Sequence, residues 1–258
     1  MLLIGGTVVL GQETPPKKEA AKEEKKGSKD LPQALTVDQV VELAILVYAQ
    51  PNGREKMLQI RKTEVERGKL ILHEADGKLT NANYQRWVSR PEAGKSKIRL
   101  DQEFPTATYA LVQTPDKVFG IYNDSVFQPR EDAIVTFQNR LLHSIDSMLW
   151  YKENGSTIAL AGREKVLGVE FYLVDLMDKG DRKTRFYVSA KSFRVMMLEY
   201  ESAGIKYLRK FRDYKYSQGV LVPFNSELRI GEKIVEEQHL GTVTFGQKLD
   251  ENLFVSAG

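Results

Sequence analysis

The sequence predicts an α+β fold, an antiparallel sheet of about ten or eleven strands with helices laid across its concave face. Three observations carry this reading. From Leu160 to Phe254 the chain repeats one design, an alternating apolar/polar strand, a short turn at Gly, Asn or Asp, and a strand running back. A shorter series of the same kind occupies Glu64–Asn123, and between the two lies one amphipathic stretch, Asp132–Tyr151.

Taken in order, the first folded element begins near Leu35. Thr36-Val37-Asp38-Gln39 has the spacing of a capping box, in which Thr36 accepts from a free backbone amide and Gln39 reaches back. Val40, Val41, Ala44, Val47 and Tyr48 then form a helical stripe, widened by Leu43, Ile45 and Leu46 until the helix is apolar nearly all round, the pattern of a buried helix. Pro51-Asn52 ends it, and Asn52 with Glu55 reads as a second capping box opening a short helix through Met57, Leu58 and Ile60.

Strands follow at Gly68–His73, Thr80–Ser89, Thr106–Val112 and Lys117–Tyr122, with turns at Asp76-Gly77 and Pro115-Asp116. Ile98, Leu100 and Phe104 share one face of a further strand, and Lys97, Arg99, Asp101 and Glu103 the other, so it has a dry and a wet side. In the helix Asp132–Tyr151 the residues Ile134, Phe137, Leu141, Ile145 and Met148 recur at spacings of three and four. In the later strands Tyr172, Val174 and Leu176 fall on one face, as do Thr184, Phe186 and Val188.

Composition narrows the function classes. At 258 residues and 41% hydrophobic content the chain can bury a sizeable core. Its 38 basic and 35 acidic residues nearly balance, which gives no reason to expect nucleic acid. The absence of cysteine removes disulfides, thiolate metal sites and thiol catalysis. Residues 1–11, MLLIGGTVVLG, resemble the hydrophobic and cleavage regions of a secretory signal without its basic start, and are too short to span a bilayer, which takes roughly 20 apolar residues. Residues 12–34 form a charged linker: Glu13–Asp30 carries no large apolar side chain that could offset the entropy of ordering it. Export to the periplasm without a lipid anchor is the expected address, and residues 35–258 are expected to form a single domain.

No catalytic constellation emerges. Gly94-Lys95-Ser96 lacks the first glycine of a phosphate loop and joins two strands. His73, His143 and His239 have no metal-ligand spacing and read as ordinary, partly exposed side chains. Glu199 with Glu201, and Glu236 with Glu237, read as solvated surface. No catalytic residue, metal or cofactor is expected, although carboxylates brought together only by folding stay open. Lys206, Arg209, Lys210, Arg212 and Lys215 crowd one strand and Arg182, Lys183 and Arg185 another, giving either a peripheral membrane contact or a solvated, edge-protecting surface.

The order of elements resembles the lipoprotein-carrier superfamily of the LolA and LolB type over about Leu35–Phe254. The resemblance lies in the entry helix and Met57–Lys62, the step from Gly162 through Gly168-Val169-Glu170-Phe171-Tyr172, and the strand Phe186–Ser189 leading to Phe193. It continues in Gly219-Val220-Leu221-Val222-Pro223-Phe224 and Leu249-Asp250-Glu251-Asn252-Leu253-Phe254. It implies an unclosed half-barrel with helices in its mouth and a binding rather than catalytic role.

The candidate apolar lining comprises Trp87, Ile98, Leu100, Phe104, Ile134, Phe137, Leu141, Ile145 and Trp150, with Tyr84 and Tyr109 also suited. A lipid, a lipid-modified protein or another apolar ligand is the expected occupant, since burying an acyl chain is worth about 0.8 kcal/mol per methylene. The alternative is an envelope interaction or sensing module that meets a protein partner and carries no ligand. The chain is expected to be a monomer.

Overall fold

Two helices precede the sheet, α1 (Val37–Tyr48) and α2 (Arg54–Ile60). The computed structural model describes residues 35–92 and 95–255. The expected signal and linker, 1–11 and 12–34, lie outside the described residues, as does Gly94.

Next come β1 (Thr63–His73), β2 (Leu79–Ser89), β3 (Lys97–Glu103), β4 (Thr108–Gln113), β5 (Val118–Tyr122) and β6 (Ser125–Phe127). Three helices follow, α3 (Glu131–Leu142), α4 (Ile145–Leu149) and α5 (Tyr151–Asn154). The second series is β7 (Thr157–Val166), β8 (Val169–Met177), β9 (Lys183–Ser189), β10 (Val195–Ser202), β11 (Ile205–Ser217), β12 (Val220–Ile230) and β13 (Lys233–Phe245), closed by a 3-10 turn at Glu251–Phe254.

These thirteen strands make one sheet in the order β6-β5-β4-β3-β2-β1-β13-β12-β11-β10-β9-β8-β7, and the assigned pairings are antiparallel. Two meanders are therefore joined where β1 pairs with β13. The edges, β6 and β7, do not pair with each other, so the sheet is unclosed, and α3 to α5 carry the chain from one edge to the other. The count exceeds the expected ten or eleven partly because β6, at three residues, is too short to show a period.

Local chemistry explains most elements. Thr36 Oγ1 accepts from the Gln39 amide at 3.3 Å while Gln39 Oε1 accepts from the Thr36 amide at 2.9 Å, the reciprocal cap read from the sequence. The second cap differs: Gly53 caps α2 at φ 56°, with no side-chain hydrogen bond, so Asn52 does not play that part. The first helix buries one stripe, Val40, Val41, Ala44, Ile45 and Tyr48, and leaves Leu46 exposed, so it is not apolar-buried all round. Gly68 sits at a register shift between β1 and β13, where a Cβ would stand 2.4 Å from the His239 carbonyl oxygen.

The expected single helix Asp132–Tyr151 is instead three. It breaks at His143 and Ser144, where Ser144 takes an extended conformation and its Oγ donates to the Leu141 carbonyl at 2.8 Å. The His143 ring is meanwhile held by the sheet, Nδ1 lying 2.7 Å from Thr184 Oγ1 and the ring stacking on Tyr200 at 4.0 Å. The apolar period passes through the break because Ile145, Met148 and Leu149 still face the core. The basic strand read as edge protection is β11, which is interior to the sheet.

Two apolar clusters flank the middle of the inner face. One joins α1 and α4 to β8–β12 through Ile45, Met148, Leu149, Phe186 and Leu198, each 0% exposed. The other packs Leu70, Val88, Leu100 and Leu111 under Phe137 of α3.

Candidate functional site

Strand alternation places Glu64, Glu66 and Leu70 of β1 on the inner face, with Tyr84, Arg86 and Val88 of β2 beside them. Gln238 of β13, Ser226 of β12 and Phe211 of β11 continue one row across the sheet. The centre of the inner face is therefore polar, not oily as the sequence suggested, and the apolar clusters lie to either side.

Two ion clusters occupy this seam. In the first, Glu64 is 1% exposed and its two oxygens meet Arg86 at 2.6 Å and Arg61 at 3.2 Å, with Arg90 at 3.5 Å. Arg86 also reaches Glu66 at 2.9 Å. Arg61 crosses to Asp146 of α4 at 2.6 Å, and Arg90 pairs with the same carboxylate. In the second, Arg140 of α3 and Arg209 of β11 both bind buried Glu236, the latter at 3.1 Å. The helices are thus fastened to the sheet by charge: Asp146 anchors α4, Arg140 anchors α3.

Environment sets the protonation states. Burial alone would raise Glu64, but Arg86, Arg61 and Arg90 outweigh it and hold the carboxyl well below its ordinary range. Glu236 is likewise lowered, its burial overcome by Arg140 and Arg209. Glu66 goes the other way: burial raises it, Arg86 opposes, and the neighbouring Glu64 charge adds to the rise. Burial, with repulsion from Arg182, pushes the His143 imidazole down to about 4.

Two spaces adjoin the seam. An inner cavity of about 110 Å³ lies among Tyr48, Arg61, Glu66, Ile145, Phe224 and Gln238. A wider cleft of about 410 Å³ opens between β2–β4 on one side and the end of β8 on the other, floored by the helices. Its apolar wall is Val88, Ile98, Leu141, Leu142 and Leu176, and its polar wall includes Arg86, Arg90, Gln113 and Trp150. Arg86, Ser144 and Asp146 line both spaces, so the first ion cluster forms the partition between them. Of these two the cleft is the one in the size range of small-molecule sites, roughly 300–1,000 Å³, and a more open hollow of about 770 Å³ lies away from the seam beside Arg185, Tyr200 and Tyr207.

The structure disperses the residues expected to line one pocket. Ile98, Leu141 and Trp150 meet in the cleft, and Ile145 faces the inner cavity. Leu100 and Phe137 are packed core. Ile134 is half-buried on α3 and lines neither space. Phe104 lies beyond the end of β3, stacked on Tyr109 at 5.8 Å. Trp87 points to the opposite face, packed with Val112, Phe119 and Phe254 under the 3-10 turn.

Sequence reasoning missed the ion clusters. Glu236, read as solvated surface, and His143, read as partly exposed, are both buried. Arg209 is buried as well, not part of an outward basic face. A signal was available: Glu64, Glu66 and Arg86 occupy the same alternation phase as Leu70, Tyr84 and Val88, the phase that must face inward. Among the described residues no group of three or more His, Asp or Glu is placed to hold a metal, and no helix is long and apolar enough to cross a membrane.

No protein-family model and no curated protein matches the sequence. Solved structures do match in fold. A DUF1329 family protein from Desulfovibrio piger superposes with TM-score 0.63 at 10% identity, covering 86% of this chain and 98% of that one. A LolA superfamily protein from Nitrosomonas europaea gives 0.59 at 13% identity, with 86% and 98% covered. An outer membrane lipoprotein-sorting protein domain from Vibrio parahaemolyticus gives 0.53 at 14%, with 83% and 95% covered. The chain shares its fold with these three structures, one of them a LolA superfamily protein, as the order of its elements implied.

Proposed function

We propose that this is a non-enzymatic, exported periplasmic carrier that holds a lipid, an acylated protein or another apolar ligand between the curved sheet and its helices. The observation that carries the reading is the cleft of about 410 Å³ at the unclosed side, with Ile98 and Leu141 in its wall. Its floor is made by short helices that follow one another across the gap between the sheet edges. A shared fold with a lipoprotein-sorting domain supports the same reading, as does the signal-like start of the sequence.

The test is native mass spectrometry of the gently purified full chain, with extraction of bound lipid and displacement of a long-chain fluorescent probe. A co-purified apolar species that the probe displaces is the expected result. A preparation that carries none, and that fails to bind the probe, rejects the carrier.

One observation favours the second reading, an envelope interaction or sensing module. Edge strand β7 and its hairpin leave Leu160 at 38%, Leu167 at 98% and Val169 at 44% exposure, and an edge strand can pair with a partner's strand. A pull-down from envelope extract that yields one stoichiometric protein and no lipid selects this reading over the carrier.

A further inference from the structure

The cleft wall contains polar atoms that the fold itself leaves unanswered. Trp150 Nε1, Arg86 Nε and Gln113 Oε1 are buried and have no hydrogen-bond partner among the described residues, and all three side chains line the cleft; a fourth such atom there, Asp146 Oδ1, has its charge met by Arg61 at 2.6 Å. Trp150 is 9% exposed. Buried polar groups are paired in the great majority of cases, so three in one wall point to an occupant that supplies the partners.

The chemistry of the three atoms defines that occupant. An indole N–H and a guanidinium N–H donate and cannot accept, so the occupant must bring acceptors. The Gln113 amide, whose oxygen has no partner, can turn end for end and present its NH2 to the same acceptor. The surroundings favour negative charge. Arg90 stands over the Trp150 ring, 5.7 Å from its centroid. The cleft is lined by four cations, Arg86, Arg90, Lys179 and Arg182, against three acids, Glu92, Asp146 and Asp178. Behind the wall, burial and the Glu64 charge raise Glu66, which weakens its hold on Arg86, 2.9 Å away.

We infer that the cleft takes a long-chain amphiphile by its anionic oxygen headgroup, a carboxylate or a phosphodiester that accepts from Trp150 Nε1 and Arg86 Nε while its chain lies along Ile98, Leu141 and Leu176. This rests on the carrier reading and names the ligand class for the same site. Charged hydrogen bonds of this kind discriminate anionic from neutral headgroups by about tenfold or more.

The experiment measures displacement of a fluorescent long-chain probe from the full chain by palmitate, lysophosphatidylglycerol and hexadecanol. Stronger displacement by palmitate and lysophosphatidylglycerol than by hexadecanol, by about tenfold, is the expected result. Preference for palmitate alone assigns a carboxylate, and for the lysophospholipid alone a phosphodiester. Equal displacement by all three overturns headgroup recognition and leaves the carrier standing, whereas no displacement by any overturns both.

Gln113→Leu and Trp150→Phe make the assignment residue-specific. Each removes a buried polar atom that has no partner in the unliganded protein, so for Gln113→Leu the thermal midpoint should hold or rise as the anionic preference falls, whereas Trp150→Phe also empties part of a core site and is read by the preference alone. Anionic preference that survives unchanged in both folded variants overturns the roles given to these residues.

Discussion

The two halves of the sheet's inner face are closed by different means. On the β8–β12 side, α1 and α4 press Val41, Ile45, Met148 and Leu149 onto Phe186, Val188 and Leu198, every one of them 0% exposed. On the β1–β5 side only Phe137 of α3 is buried, while Val135 on the same helix is 40% exposed. One half is a finished core. The other is a sheet with a partial cover, and the cleft opens beside it. Between them the ion clusters tie both helices to the central strands without filling the space as packed side chains would. An apolar seam would have closed it, whereas a charged seam holds α4 and α3 at fixed points and leaves room next to them.

The largest expected effect comes from breaking the seam itself. Glu64→Gln removes the charge that Arg61, Arg86 and Arg90 share and leaves buried cations short of a partner, so the protein should lose about 3–5 kcal/mol. Equilibrium denaturation with urea measures this. A loss below about 1 kcal/mol would mean that the cluster is solvated and does not fasten the helices.

A matched pair of truncations then sharpens the contrast between the halves. Leu149→Ala, in the sealed half, should cost about 2–5 kcal/mol because a fully buried side chain leaves a cavity. Leu141→Ala, at the cleft, should cost less, since Leu141 is only partly buried, yet it should weaken probe binding where Leu149→Ala does not. Equal stability losses with no difference in binding would erase the distinction between a filled and an unfilled half.

What the sequence made legible follows the same division. Alternation in Tyr172, Val174 and Leu176 and in Phe186 and Val188 is visible because the side chains of one strand face are all apolar, and the structure buries each of them. The cap at Thr36 is legible because its partner is three residues away. The seam is hidden because its pairs are remote, Arg140 lying 96 positions from Glu236 and Arg90 56 from Asp146. A single charged residue in an inward phase reads as an exception until its partner is known. Trp87 stands on the opposite face of β2, where the 3-10 turn Glu251–Phe254 returns to cover it in part.

Smaller effects come from groups in the seam whose charge the fold opposes. Glu66 is raised in the folded state, so the advantage of its neutral form is present below the ordinary carboxylate pKa and is lost as pH rises through the raised value. Glu66→Gln fixes the neutral form. It should add about 1 kcal/mol on the alkaline side of that titration and nothing in acid, measured as the pH dependence of the urea midpoint. A gain that is independent of pH would show that Glu66 does not titrate in the folded protein.

His143 gives the opposite slope, and comparing the two separates seam from core. Its imidazole is lowered from 6.5 to about 4 in the folded protein by burial and by Arg182. Between those values the unfolded chain binds a proton that the folded chain does not, so stability falls as pH drops, by at most about 1.4 kcal/mol per unit. Thr184 Oγ1 lies 2.7 Å from Nδ1 and the Tyr200 ring stacks at 4.0 Å, so the imidazole is held at its edge and its face. Asp178 pulls the other way but does not prevail. His143→Gln keeps a polar partner for Thr184 and removes the titration, so the acid limb of the stability curve should flatten over that interval. An unchanged limb would show that His143 does not titrate across that interval, since the carboxylates Glu64 and Glu236, whose folded pKa values are lowered, lose their contribution only further into acid. Since His143 sits at the break between α3 and α4, a flattened limb would mean that the fold depends on a neutral ring at the joint between the helix over the open half and the helix over the sealed one.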